Sequence, residues 1–226
     1  MNQLGVGSAL MFMLCAGVAH AGGGRPMTTD DAVLTNARSC QLETWFQHAR
    51  GDAQFWLLPA CNPWSRVEFS AGAVLDWPQG ASQSTGALFQ MKTQWLDAPA
   101  AQAGFTAGAQ RGQGRWNLYY AYVPVTLKLT QTTQLHVNLG WQRDRIARDD
   151  ALYYAVAIAH DLSTRYNVFA EMFGTDAARP TAQAGGAVLF RDGAVQLDAS
   201  LGRPLRGSPR EFIYSIGLEL YPAALW

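Results

Sequence analysis

The chain has 226 residues, its 17 basic side chains balance 17 acidic ones, and only 15% of its residues are charged. Lysine occurs only at positions 92 and 128, and no basic run marks a nucleic-acid partner. The length suits one all-β domain, and 22 Gly with 8 Trp, 8 Tyr and 10 Phe is a composition that β-barrels share.

Residues 1–21 have the pattern of a secretory signal peptide. Leu10 to Cys15 are apolar, and Ala19-His20-Ala21 makes a small-x-small cleavage site before Gly22. The pattern departs from the usual one in having no Lys or Arg before the apolar run. Export leaves Cys40 and Cys61 in an oxidising compartment, where a disulfide is the expectation over a metal site. Beyond the signal there is no apolar run of the roughly 20 residues that a spanning helix needs. A membrane location would then require a closed barrel, the other structure that satisfies every backbone group in lipid.

Residues 22–39 are polar and show no alternation; they are a periplasmic segment, a filler of a barrel lumen, or a disordered lead-in. Their most distinctive part is Arg25-Pro26-Met27-Thr28-Thr29-Asp30-Asp31-Ala32. Twelve strand candidates follow: 40–48, 53–61, 65–75, 85–96, 103–110, 115–129, 133–142, 151–162, 165–174, 183–191, 194–202 and 210–221. Many match the roughly 9–11 residues of a tilted spanning strand. The period is plainest near the end of the chain. Val195, Leu197, Ala199 and Leu201 share one face, and Gln196, Asp198, Ser200 and Gly202 the other; Phe212 to Leu220 repeats the pattern. Asp192-Gly193 between two such runs predicts a two-residue type I′ turn.

The connections sort by length. With the first strand starting at the periplasmic side, Thr130–Thr132, Ser163-Thr164 and Asp192-Gly193 are tight turns on that side. Asp76–Ser84, Arg143–Asp150, Thr175–Ala182 and Arg203–Pro209 are longer polar loops on the other. Asp97–Gln102 is long for a turn, and His48–Asp52 short for an outer loop. Cys40 and Cys61 are equidistant from a turn at Arg50-Gly51, which places them opposite each other on neighbouring strands, within bridging distance.

A period of two fits a soluble sandwich as well as a membrane barrel; the polar face decides. Arg66, Glu68 and Ser70 alternate with apolar residues, as do Gln90, Lys92 and Gln94, then His136 and Asn138, then Arg165, Asn167 and Glu171. Charges of both signs at mid-strand cost about 2–4 kcal/mol for Arg or Lys facing lipid, whereas facing a lumen they can pair. Trp45, Trp77, Trp95, Trp116, Trp141, Tyr221 and Trp226 recur near strand ends, as an interfacial belt requires. The fold expectation is an all-β, antiparallel up-and-down transmembrane β-barrel of about 12 strands (10–12) over residues 40–226.

Several segments resemble the bacterial outer-membrane barrels grouped with the meta-pathway of phenol degradation. They are Arg25 to Ala32, Cys40-Gln41-Leu42-Glu43, His160-Asp161-Leu162 with Glu171, Gln183-Ala184-Gly185-Gly186, and Gln196 to Gly202. The resemblance covers most of the mature chain. It implies the outer membrane, a barrel, and the movement of small, hydrophobic or aromatic compounds; it brings no catalytic residue.

Catalysis has one weak candidate set, His160, Ser163 and Glu171, which differ in parity and depth where a nucleophile needs its base within hydrogen-bond reach. No metal-ligand spacing and no phosphate-binding glycine loop occur, so no cofactor is expected. Glu43, Glu68, Lys92, Lys128, Arg165, Glu171, Asp198 and Glu219 are the expected lumen-lining charges. The expected partners are outer-membrane lipid and lipopolysaccharide, with Arg143, Arg145 and Arg148 in one outer loop, the barrel-assembly machinery through the C-terminal strand, and a small-molecule solute. The functional expectation is a passive channel or transporter. Its alternatives are a non-transporting structural or adhesive barrel, and a lipid-modifying enzyme.

Overall fold

The computed structural model describes residues 25–49, 51–112, 114–205 and 211–221. The expected signal peptide and the terminal Trp226 lie outside the described residues. Twelve strands follow one another: β1 (Ser39–Ala49), β2 (Asp52–Asn62), β3 (Val67–Trp77), β4 (Ser84–Asp97), β5 (Ala101–Gly112), β6 (Arg115–Lys128), β7 (Thr133–Asp144), β8 (Asp149–Asp161), β9 (Tyr166–Thr175), β10 (Thr181–Phe190), β11 (Val195–Pro204) and β12 (Ile213–Leu220). Each pairs antiparallel with the next, and β12 pairs with β1, which closes the sheet.

The alternation is inverted relative to a soluble barrel. Along β11, Gln196, Asp198 and Ser200 are buried, while Leu197 and Leu201 are 47% and 56% exposed. Along β7, His136 and Asn138 are buried while Leu139 is 56% exposed. Phe89, Ile158 and Ile216 extend the same apolar surface onto other strands. An apolar face that runs around a closed sheet is far larger than water tolerates on a monomer, and it is the outer face of a barrel in lipid.

Exposed aromatics gather near the ends of that face, including Trp77, Trp116, Trp141 and Tyr214 at one end and Trp64, Trp95 and Tyr166 at the other. Two residues expected in this belt are not part of it. Trp45 turns into the barrel and stacks on Trp56, its register partner, at 5.2 Å and 4° between planes. The Tyr221 hydroxyl is buried. Position near a strand end does not set direction; parity does, and Trp45 shares the parity of the inward Gln41.

Strands run further into the connections than the alternation alone implies. β7 reaches Asp144 and β8 begins at Asp149, so the loop expected over Arg143–Asp150 shrinks to four residues, with Arg143 bonded to Asp150 at 2.9 Å across its base. At the opposite end β4 and β5 take half of Asp97–Gln102, leaving Ala98–Ala100 as a tight turn, as that side requires. The β7–β8 connection is then no longer than the β6–β7 and β8–β9 turns at the opposite end, so the sorting by length is weaker than expected.

The Asp192-Gly193 turn keeps its centre, with Phe190 opposite Val195. Its innermost pair opens, however, because Arg191, Asp192 and Gly193 all take left-handed φ (52°, 56° and 87°). Asp192 (φ 56°, ψ 37°) and Gly193 take the left-handed values of the expected type I′ turn, and Ala194 N–H donates to the Arg191 carbonyl as that turn requires, but the loop between paired residues is four residues long, not two.

Candidate functional site: a lumen filled by the N-terminal segment

Inward parity gives every strand a polar or small lumenal edge, and residues 25–38 lie inside it. This segment forms no strand. Its backbone groups therefore need partners from the wall, since unpaired buried N–H and C=O groups are costly. Near the base, where β1 begins, Arg38 N–H donates to the Asn62 carbonyl, and the Asn62 amide to the Thr35 carbonyl at 2.6 Å. Thr35 N–H donates to Glu68 on β3 at 2.6 Å. Ala32 N–H donates to the Thr126 hydroxyl on β6, and Gln94 on β4 donates to the Ala32 carbonyl.

Asp30 sits at the centre. Its carboxylate accepts from Lys92 (2.7 Å), Thr106 (3.1 Å) and Tyr122 (3.1 Å), on β4, β5 and β6. Its backbone is held at both polar groups by one amide, Asn138 on β7, which accepts from Asp30 N–H at 2.8 Å and donates to its carbonyl at 2.7 Å. Lys92 also reaches Asp31 at 3.2 Å, so one cation that is 4% exposed serves two carboxylates. A charge so deeply buried is tolerated only when paired.

Beyond Asp30 the segment crosses to the far wall. Thr28 and Thr29 both donate their N–H groups to Glu171 on β9, at 2.8 and 2.7 Å, and the Thr29 hydroxyl adds a third bond. Gln183 on β10 also donates to Glu171. Arg25 ends the described path. It pairs with Asp198 on β11 at 2.7 Å, bonds Ser215 on β12, and lays its guanidinium 4.8 Å from the Trp45 ring on β1. Gly217 makes the room: a Cβ there would lie 2.7 Å from Asp198 Oδ2 and 2.8 Å from Arg25 Nη2.

A cavity of ≈ 240 Å³ remains between the segment and the β1–β4 wall, lined among others by Glu43, Trp45, Gln47, Gln90 and Lys92. Tyr120 and Tyr122 stack at 5.9 Å, and Tyr122 meets Tyr153 at 5.4 Å, which adds an aromatic ladder to the β6–β8 side.

Of the eight expected lining charges, Glu68, Lys92, Glu171 and Asp198 bind the segment directly. Glu43 and Glu219 are register partners on β1 and β12; Glu43 accepts from Gln41, and Glu219, fully buried, accepts from Gln196. Lys128 and Arg165 depart from the expectation. Both are exposed, one at the end of β6 and one in the β8–β9 turn, and neither joins the interior bonds found among the described residues. They share the inward parity but not the depth.

The further lumenal side chains are neutral: Asn62, Thr106 and Thr126, which the sequence reading passed over, and Asn138, Gln183 and Gln196, which it named without counting them among the lining residues. Their signal was parity, since each lies on the lumenal face of its strand. The bridge joins Cys40 to Cys61, which face each other across β1 and β2 with Cα atoms 4.0 Å apart. His160 bonds Thr133, Ser163 accepts from Arg165 N–H, and Glu171 is held in the lumen, so the three form no triad. Among the described residues no cluster of three or more metal-ligating side chains occurs, and no helix is long and apolar enough to cross a membrane.

A closed barrel of twelve antiparallel strands with an apolar exterior and a polar lumen is a porin-like fold. The chain belongs to the family described as uncharacterised conserved protein UCP029691, whose model matches residues 10–220. No curated protein matches its sequence. Among solved structures it is similar to a KdgM porin in complex with disordered oligogalacturonate, with a TM-score of 0.66 at 12% identity over 81% of this chain and 99% of that one. It is also similar to the NanC porin (TM-score 0.61, 6% identity, 80% and 99% covered). A third is the COG4313 outer membrane channel from Pseudomonas putida F1 (TM-score 0.61, 10% identity, 84% and 97% covered). At such identities the shared property is the fold.

Proposed function

We propose that this protein is an outer-membrane passive channel for small solutes, whose bore is set by residues 25–38. The observation that carries this reading is the bonding of that segment. It is held largely by hydrogen bonds and ion pairs to inward polar side chains on β1–β7 and β9–β12, with Ala32 and Leu34 as its buried apolar residues. Polar wall groups can exchange a peptide partner for water, whereas an apolar plug would leave nothing for water to bond. The outer-membrane setting is supported by the inverted faces and by the porin-like neighbours. Lipopolysaccharide at the outer rim and the assembly machinery at the C-terminal strand belong to the same proposal. Hydrophobic or aromatic solutes, which the resemblance to phenol meta-pathway barrels implies, find ring surfaces in Trp45, Trp56, Tyr120, Tyr122 and Tyr153.

A second reading, a sealed barrel that serves as a rigid anchor, is favoured by how little space the segment leaves: Thr106, Thr126 and Glu219 are completely buried. Planar-bilayer recording on the folded full chain separates the two. Stepwise conductance in potassium chloride supports the channel. A membrane that stays sealed, with protein shown to be folded by its altered gel mobility before boiling, supports the anchor.

A further inference from the structure

We infer that the lumen wall is a receptor for a cationic peptide, and that the chain's own N-terminal segment occupies that receptor as an imperfect surrogate. The inference deepens the channel reading by naming a solute class, although binding can be observed without conduction.

The first observation is what the wall recognises. Glu171 takes two consecutive main-chain N–H groups, Glu68 a third and Thr126 a fourth, while Asn138 grips the N–H and the C=O of one residue. Gln94, Gln196 and Asn62 donate to main-chain carbonyls of Ala32, Arg25 and Thr35. These groups occur in any peptide, so the contacts are indifferent to sequence. A sugar chain offers no row of N–H donors at this spacing.

The second observation is charge. Among the described residues the wall contributes Glu43, Glu68, Glu171, Asp198 and Glu219 against Lys92 as its one buried cation. The native segment brings one cation, Arg25, and two more acids, Asp30 and Asp31, that occupy Lys92. It therefore leaves the interior with more carboxyl groups than cations.

The third observation locates the shortfall. Asp198 Oδ2 and Glu219 Oε1 are buried acceptors without a hydrogen bond, and the donors Arg25 Nε and Tyr221 O–H are likewise unpartnered, so the polar groups at this end are imperfectly matched by the present occupant. Both acceptors lie at the β11–β12 end of the path, beside Arg25. An occupant with further guanidinium or ammonium groups would satisfy them, and the stacked Trp45–Trp56 pair offers the ring face on which a cation already rests. A polyanion such as the oligogalacturonate bound by KdgM would meet carboxylates at each of these places.

The test is fluorescence anisotropy of dye-labelled tetra-arginine with the full chain folded in detergent, with unlabelled tetra-arginine, tetra-glutamate and tetragalacturonate as competitors. The expected result is saturable binding that only tetra-arginine displaces. Asn138→Leu, which removes the two-point main-chain grip, should weaken binding about tenfold or more. Because that variant also loosens the native segment, Glu219→Gln is measured beside it; it leaves the bonds to the segment in place and should weaken binding severalfold. Displacement by tetra-glutamate or tetragalacturonate at similar concentrations overturns the inference. So does the absence of saturable binding, or binding unchanged in both folded variants, which would put the peptide on the exterior. A barrel that conducts salt but binds no peptide keeps the channel and loses the receptor. A barrel that binds the peptide but never conducts does the reverse.

Discussion

The two faces of one wall solve opposite problems with neighbouring residues. Leu139 and Asn138 are adjacent in β7, yet the first is 56% exposed and the second 1%. The outer face needs only to be apolar, and any of several aliphatic or aromatic residues meets that need. The inner face must match particular groups of the segment it holds: Asn138 bonds one residue twice, and Lys92 serves two acids. Tolerance is therefore expected outside and intolerance inside. This reverses the soluble rule, in which the buried face is the permissive apolar one.

The largest expected effect tests the inner face. Lys92→Met strands Asp30 and Asp31 in a buried site, a loss of about 3–5 kcal/mol when a buried ion pair is broken from one side. The segment should leave the lumen, seen as raised conductance and a lower temperature for the mobility shift; an unchanged barrel would mean that the interior is wetter than it looks. Next comes the outer face. Leu139→Arg should cost about 2–4 kcal/mol near the middle of the lipid span, whereas Leu139→Phe should cost almost nothing. Equal membrane yields for the two would invert the assignment of faces. The smallest effect lies where the segment meets the wall: Gly217→Ala crowds the Arg25–Asp198 pair, an overpacking cost of about 1–3 kcal/mol. It should open the channel more often without lowering barrel stability as much as Lys92→Met.

Much of the wall was legible in the sequence because a period of two is hard to counterfeit over twelve segments. The observed strands lie within three residues of the expected bounds, and Cys40 and Cys61 meet as their spacing about a turn implied. The interior was legible in its charges but not in its neutral residues. Gln, Asn and Thr on an alternating strand look alike whether they meet water or a bound segment, so Asn138 was placed on the polar face without a role and Thr126 carried no flag. Lys128 and Arg165 illustrate the opposite error. Parity states which way a side chain points but not how deep it lies, and a charge at a strand end is solvated either way. Residues 25–32 stood out as a motif, but a segment without periodicity advertises no partner. Its conformation is imposed by the side chains around it.

The path of that segment bears on how such a molecule can come into being. Its described beginning, at Arg25, is fastened to β11 and β12, and its end, at Thr35, to β1, β2 and β3. These two groups of strands flank the β1–β12 pair, the one joint in the wall between strands that are not consecutive. A cylinder that closed first would have to be filled through a mouth, against the desolvation of its own carboxylates. A cylinder that closes around the segment gains those bonds in the same step. The segment thus ties the two sides of the seam together through the lumen, fastened to β11 and β12 at one end and to β1, β2 and β3 at the other.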